Sequence, residues 1–239
     1  KNHDGPTEIG SLYLDDAYRG QGRGRLLSLI RFAFMAAHRK RFAEEVIVEL
    51  RGDMTDEGVS PFWEGLGRRF FEMDFPQADM LSTLSKRFIE DWFPKHPIYV
   101  NLLPESAKLA MGSVHQNSLP AMSMLMDEGF TQTDMIDIFD GGPTMSCTTD
   151  QIHAVQRTRQ MVVEHIDEAI TAHRGSSEPI SKQMSIVSVS NQGFRGMLAA
   201  VDTLDNFGEF PGAAISPLTA ATLDIQIGQR IGVTALHPK

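Results

Sequence analysis

The sequence predicts an α+β protein, with a mixed sheet flanked by helices and a small β subdomain at the C-terminal end. Three observations carry this. Within the first fifty residues an apolar strand, a glycine-rich loop, a helical apolar period and a second apolar strand follow one another. Between residues 60 and 130 short helix signals recur, each punctuated by glycine or proline. After Met184 the pattern alternates with period two and turns on glycine.

The elements follow in order. Residues 1–8 are polar with a Gly5-Pro6 turn signal, and Ile9-Gly10-Ser11-Leu12-Tyr13-Leu14 reads as a strand ended by Asp15 and Asp16. From Arg25 a helix is predicted with Leu26, Leu27, Ile30, Phe34 and Ala37 on one face, and Arg39, Lys40 and Arg41 complement its dipole at the end. Glu45-Val46-Ile47-Val48-Glu49-Leu50 reads as a buried strand closed by Arg51-Gly52. Ser60 as N-cap and Pro61 at the first helical position start another helix, which stops near Gly67. Residues 76–93 repeat Ala78, Leu81, Leu84, Phe88 and Trp92 at three- and four-residue steps, as an amphipathic helix does.

Prolines 94, 97 and 104 mark loops, and a short helix follows over 105–111. The segments 62–70 and 119–130 echo each other as short helices ending in glycine before an aromatic, which suggests two related halves. A polar helix is expected from Asp150 to His173, then a loop to Pro179, a strand over 184–190 and a last β segment over 224–233. The methionines Met122, Met124 and Met126 read as core filler.

Composition narrows the function classes. With 41% hydrophobic residues in 239 the chain can bury a sizeable core. No eighteen apolar residues run together and the first residues contain no apolar stretch, so neither a membrane span nor a signal peptide is expected, and the cytoplasm is the expected location. The single Cys147 allows neither an intrachain disulfide nor a thiolate metal cluster, and no metal is expected. A net charge of -9 disfavours nucleic acid and anionic membranes and suits cationic small molecules. Lys1 is not a natural translation start, so the chain is expected to be trimmed, processed or part of something longer.

Chemistry concentrates in Arg19-Gly20-Gln21-Gly22-Arg23-Gly24, set between the first strand and its helix. It fits neither the dinucleotide fingerprint nor a Walker A loop. Through Arg19, Gly22 and Gly24 it matches the R/Q-x-x-G-x-G/A pattern of the GNAT acyltransferases. Glycines there let consecutive N–H groups turn inward and the following helix adds its positive end, so a pyrophosphate can be held by backbone alone, with Arg23 and Arg25 as further phosphate contacts.

A longer series of segments resembles the bacterial arginine N-succinyltransferases. These are Leu12-Tyr13-Leu14-Asp15, Arg31-Phe32-Ala33-Phe34-Met35-Ala36-Ala37, Ser60-Pro61-Phe62-Trp63, Leu66-Gly67-Arg68-Arg69-Phe70-Phe71, Met73-Asp74-Phe75, Pro94-Lys95-His96-Pro97-Ile98-Tyr99, Val114-His115 and Ile136-Asp137-Ile138-Phe139-Asp140-Gly141-Gly142-Pro143-Thr144. The resemblance covers residues 1 to about 160 well and the tail loosely. It implies a GNAT-like fold lacking the family's N-terminal third, divided into an acyl-CoA-binding core over 1–93, a second GNAT-like half over 94–149 and a helix with a β subdomain over 150–239. It implies succinyl-CoA as co-substrate with no permanently bound cofactor, L-arginine as acceptor, a role in arginine degradation, and a homo- or hetero-oligomer; the alternatives are a GNAT acyltransferase that uses another acyl-CoA or ornithine, and a non-catalytic CoA-binding subunit that needs a partner chain.

The candidate site residues follow. The resemblance places Leu12 and Leu14 against the acyl-CoA beside Arg19, Gly20, Gln21, Gly22, Arg23, Gly24 and Arg25, and makes His115 the proton donor. Related acyltransferases often use a tyrosine where this chain has Trp63, which has no useful labile proton, so a histidine is the reasonable replacement. A histidine also titrates near neutrality and serves either as acid or as base. His96, flanked by proline, reads as structural. Among carboxylates that could meet a guanidinium, Glu49 ranks first because it ends the strand beside the acyl-CoA strand; Asp53, Asp74, Asp137 and Asp140 read mostly as solvated or turn-forming. Cys147 has no histidine placed to make it a nucleophile.

Overall fold

A computed structural model describes residues 5–84, 93–170, 183–191, 193–204 and 208–236. It is a mixed α/β structure with two sheets. In chain order come β1 (Thr7–Glu8), α1 (Arg23–Ala37), β2 (Glu45–Glu49), α2 (Pro61–Gly65), α3 (Arg68–Phe71), α4 (Phe75–Leu84), α5 (Glu105–Ala110), α6 (Leu119–Asp127), β3 (Thr131–Ile136) and β4 (Pro143–Thr148). Then follow α7 (His153–Arg157), β5 (Thr158–Ile166), β6 (Gln183–Val189), β7 (Arg195–Leu204), β8 (Gly212–Ile215), α8 (Pro217–Leu223) and β9 (Arg230–Ala235). The chain groups into two units, one built on Ser11–Glu44 and Thr148–Lys239, the other on Pro6–Gly10 and Glu45–Cys147.

The second of these holds a four-stranded sheet in the order β1-β2-β4-β3, parallel between β1 and β2 and antiparallel between β3 and β4. The extended run expected over 9–14 stops early. Ile9 still donates to the Ile47 carbonyl, but Ser11 takes a left-handed φ of 55°, and the chain from Gly10 to Leu14 is not a strand. β2 falls where alternation placed it, with Val46 and Val48 buried.

At α2 the expected start is observed: Ser60 accepts from the Trp63 amide and Pro61 opens the helix. The turn delivers Trp63, fully buried, into an aromatic cluster with Phe71, Phe75 and Phe93, where its ring also stacks at 5.7 Å on Phe139. Gly67 has to be glycine, since any Cβ there would collide with the Trp63 ring. Of the predicted amphipathic helix, α4 covers 75–84 with Ala78 buried; Phe88 and Trp92 lie outside the described residues. In α6 the buried residue is Leu125, whereas Met126 is 58% exposed and is not core.

The unit that carries α1 closes five strands into a barrel, β5-β8-β7-β6-β9. Every pair is antiparallel except β5 with β8, and closure leaves no edge to template aggregation. Its interior is Met161, Val163, Val187, Val189, Val201, Ile215 and Ile231 with the apolar side of α8. The helix expected from Asp150 to His173 is only α7; from Thr158 the chain is β5. Met161 and Val163 are buried with Val162 between them less so, and pairing on both sides by β8 and β9 outweighs the polar, helix-tolerant composition. Residues 171–173 lie outside the described set.

On α1 the fully buried residues are Leu29, Phe32, Ala33 and Met35 rather than the face first expected. Leu26, Leu27, Ile30, Phe34 and Ala37 are half-buried. Part of that second face packs on the barrel unit: Phe34 lies 5.0 Å from Phe194, and Ile30 sits where a Cβ on Gly196 would come within 3.1 Å. A helix apolar on most of its surface offers two spacing-compatible faces, and packing decides between them.

Because Trp63 fills its cluster completely, Trp63→Ala is expected to lower unfolding free energy by about 3–5 kcal/mol, read from urea denaturation. A loss under about 1 kcal/mol would show that the cluster is not the core of its unit.

Candidate functional site

The glycine loop is a left-handed turn. Gly20, Gln21 and Gly22 have φ of 94°, 54° and 76°, and the Arg23 amide closes the turn on the Gly20 carbonyl. A side chain at Gln21 pays for that conformation and glycines do not. At Gly22 the reason is double, since a Cβ would also press the Leu198 side chain at 3.3 Å. The backbone then changes hand into α1, whose first bond runs from Leu26 to the Gly22 carbonyl. The amides of Gly24 and Arg25 therefore have no carbonyl one turn earlier within the helix, and no side chain caps this end. A change of hand beside a helix N-terminus is a backbone arrangement that binds anions.

Three arginines surround the loop in three states. Arg19 pairs with Asp16 at 2.7 Å in an exposed bridge of little energetic weight. Arg23 folds over the turn, donating to the Tyr18 carbonyl at 3.3 Å and to Gln21 Oε1 at 2.9 Å. Arg25 keeps its Nε buried with no hydrogen-bond partner among the described residues. Such an orphaned donor fits an additional anionic acceptor. Leu14 lies beside this helix start, 3.7 Å from the Cβ position of Gly24, and Leu12 is 38% exposed. The loop residues and Leu14 thus come together, and Leu12 belongs to the same unit.

His115 and Glu49 belong to the other unit. Glu49 is exposed at the end of β2, two residues before Arg51. The Arg51 carbonyl accepts from the His115 amide at 2.9 Å, and Val114 bridges Gly52. His115 caps a 3-10 turn over Gln116–Ser118, its Nδ1 accepting from the Asn117 amide at 3.1 Å. A neutral imidazole accepting at Nδ1 carries its proton on Nε2. That tautomer presents an N–H at Nε2, and the half-buried ring keeps access to solvent.

The remaining candidates sort clearly. Asp74 is exposed and paired with Arg68, while His96 and Asp53 are exposed. Trp63 donates its indole N–H to the Met73 carbonyl, so it is occupied as well as buried. Burial pushes the Cys147 thiol up, away from thiolate chemistry. Asp137 and Asp140 hold backbone. Asp137 Oδ1 accepts from the Phe139 and Asp140 amides, and the buried Asp140 accepts from Gly52 and Gly142. No group of three or more His, Cys, Asp or Glu among the described residues is arranged to hold a metal ion. A polar cavity of about 590 Å³ lined by Glu64, Arg68, Arg69 and Glu72 contains none of the candidate residues.

These features describe an α/β protein with a left-handed glycine turn at a helix start and, in its other unit, a histidine whose Nδ1 accepts from a backbone amide. Residues 1–154 match the profile of the family described as arginine N-succinyltransferase beta subunit. Arginine N-succinyltransferases of Salmonella paratyphi B and Salmonella newport are 40% identical over 224 residues, covering 93% of this chain and 60% of each relative. A solved structure described as arginine/ornithine succinyltransferase subunit AI from Pseudomonas aeruginosa superposes with a TM-score of 0.79 at 31% identity, covering 97% of this chain and 63% of that one. The chain belongs to the arginine N-succinyltransferase beta subunit family, and it spans about 60% of the length of these relatives.

Burial raises the Asp137 carboxyl above its ordinary value; its backbone donors pull the other way and the Asp140 charge adds to the rise. The fold therefore prefers the neutral form, and the group's contribution to stability is greatest in acid and lost as pH climbs through the raised value. Asp137→Asn keeps an oxygen for both donors and removes the charge. Its Tm relative to the parent is expected to rise between about pH 4 and about pH 8 by scanning calorimetry; a difference that does not move with pH contradicts the burial of that charge.

Proposed function

We propose that this chain carries out the transfer of succinyl from succinyl-CoA to the α-amine of L-arginine, in arginine breakdown. The observation that carries the reading is the left-handed loop at the start of α1, in a chain of this family, with Arg25 Nε buried beside it and without a hydrogen-bond partner among the described residues. The loop amides and Arg19, Arg23 and Arg25 take the diphosphate of the acyl donor, and Leu12 and Leu14 take its thioester arm. This is a GNAT-like use of a glycine turn at a helix start. A chain of net charge -9 makes this local concentration of arginine the more selective for an anion.

In the reaction the free amine forms a C–N bond to the thioester carbonyl carbon and the C–S bond breaks. The departing thiolate keeps the C–S electron pair and takes a proton from His115 Nε2, which is recharged through solvent by the proton that the acceptor nitrogen releases. Glu49, at the strand end that leads to the peptide holding His115, meets the acceptor's cationic group. Nothing in this scheme needs a resident cofactor. The proposal includes a cytoplasmic location; among the described residues no helix is long and apolar enough to cross a membrane. It also includes assembly into an oligomer, since the Pseudomonas aeruginosa relative is described as a subunit. That relative's description also names ornithine, which favours ornithine as a second acceptor to test.

Steady-state turnover of succinyl-CoA with L-arginine, followed by free thiol release and mass detection of the succinylated product, tests the reading. His115→Ala is expected to lower kcat by roughly 10²–10⁴-fold while leaving the KM for succinyl-CoA within about twofold. Thiol release that does not depend on arginine, or full activity without the histidine, contradicts it.

A further inference from the structure

The peptide between Arg51 and Gly52 is held from both sides. Its carbonyl accepts from the His115 amide at 2.9 Å, and its N–H donates to Asp140 Oδ2 at 2.8 Å. A peptide group is a rigid plane with these two bonds pointing opposite ways, so whatever fixes the N–H fixes the carbonyl. The second Asp140 oxygen accepts from Gly142 at 2.8 Å, and the side chain is 7% exposed.

The plate has one seat. A Cβ on Gly52 would come within 2.8 Å of the Asp140 carboxylate and 2.7 Å of the Gly142 amide, and one on Gly142 within 2.9 Å of that carboxylate and 2.6 Å of the Gly52 amide. The histidine segment is tied again one turn earlier, where Gly112 donates to the Gly141 carbonyl at 2.8 Å, and Val114 bridges Gly52. Asp140 makes no ion pair among the described residues. A buried carboxylate held by amides alone is costly to keep, and a neutral side chain would fill the turn at lower cost. What the charge supplies is a strong acceptor on the N–H of one amide, which polarises the carbonyl of that amide towards its own donor. That donor is His115.

We propose that Asp140 is a positioning residue for His115, acting through the single Arg51–Gly52 peptide; this rests on the reading of His115 as the proton donor. Among the described residues the ring is steered from its own turn, by the Asn117 amide on Nδ1, so a tilt of the plate moves Nε2 with the backbone.

The experiment is a double-mutant cycle in the intact protein, with kcat and KM measured for both substrates. Asp140→Asn offers one acceptor and one donor to two amide donors, and is expected to lower kcat roughly 10- to 100-fold, as small misplacements of catalytic groups do. The KM for succinyl-CoA stays within about twofold. In a His115→Ala background the same change is expected to cost less than about twofold, because the group it positions is gone. Asp140→Glu, which keeps the charge and displaces it by one methylene, carries the same cycle where Asp140→Asn does not fold. Equal losses of kcat in both backgrounds overturn the role of Asp140 while leaving that of His115 standing. Full activity in His115→Ala alone removes the histidine, and this role with it.

Discussion

The left-handed turn at Gly20, Gln21 and Gly22 is the constraint on which the proposed donor site depends. It reverses the chain tightly enough for α1 to begin with unsatisfied amides, and the change of hand at Gly22 aims them to one side. Two of the three residues are glycine because no Cβ is tolerated cheaply there; the third, Gln21, accepts the strain and uses its side chain to hold Arg23 across the turn. Leu198 of the barrel closes off the space beside Gly22. The barrel thus has a part in the loop's shape, although it is distant in sequence.

In the other unit, geometry is set by close approach rather than by handedness. Gly52 and Gly142 let the end of β2 and the turn after β3 meet at backbone distance, and Asp140 fills what remains with both oxygens. This joins three separate segments around residues 51, 114 and 141 through backbone hydrogen bonds. The aromatic cluster around Trp63 supplies apolar burial and has no polar group left for chemistry.

Much of this was legible in the chain, and the losses have physical causes. The loop motif, the start of α1, β2 and the Ser60-Pro61 helix start all rest on local signals, caps, turns and alternation, and all are found near where those signals put them. The helix expected from Asp150 failed because a half-buried barrel strand can carry as many polar residues as a surface helix, and only pairing with β8 and β9 distinguishes them. The buried face of α1 differs from the Leu26, Leu27, Ile30, Phe34 and Ala37 face because Leu29, Phe32 and Ala33 satisfy helical spacing equally well. Asp140 was visible only as one more carboxylate in a glycine-rich turn. Its tie to Gly52 spans 88 positions, and no local pattern reports so distant a hydrogen bond. The Asp-Gly-Gly run was the available signal, since paired glycines mark backbone approach.

The most direct measurement is an amide shift map of the intact protein titrated with succinyl-CoA. Backbone amides gripping the diphosphate predict the largest displacements at Gly22, Arg23, Gly24 and Arg25, with the Arg25 Nε resonance moving alongside them. Displacements confined to other segments, with these five signals unmoved at saturation, would contradict the account.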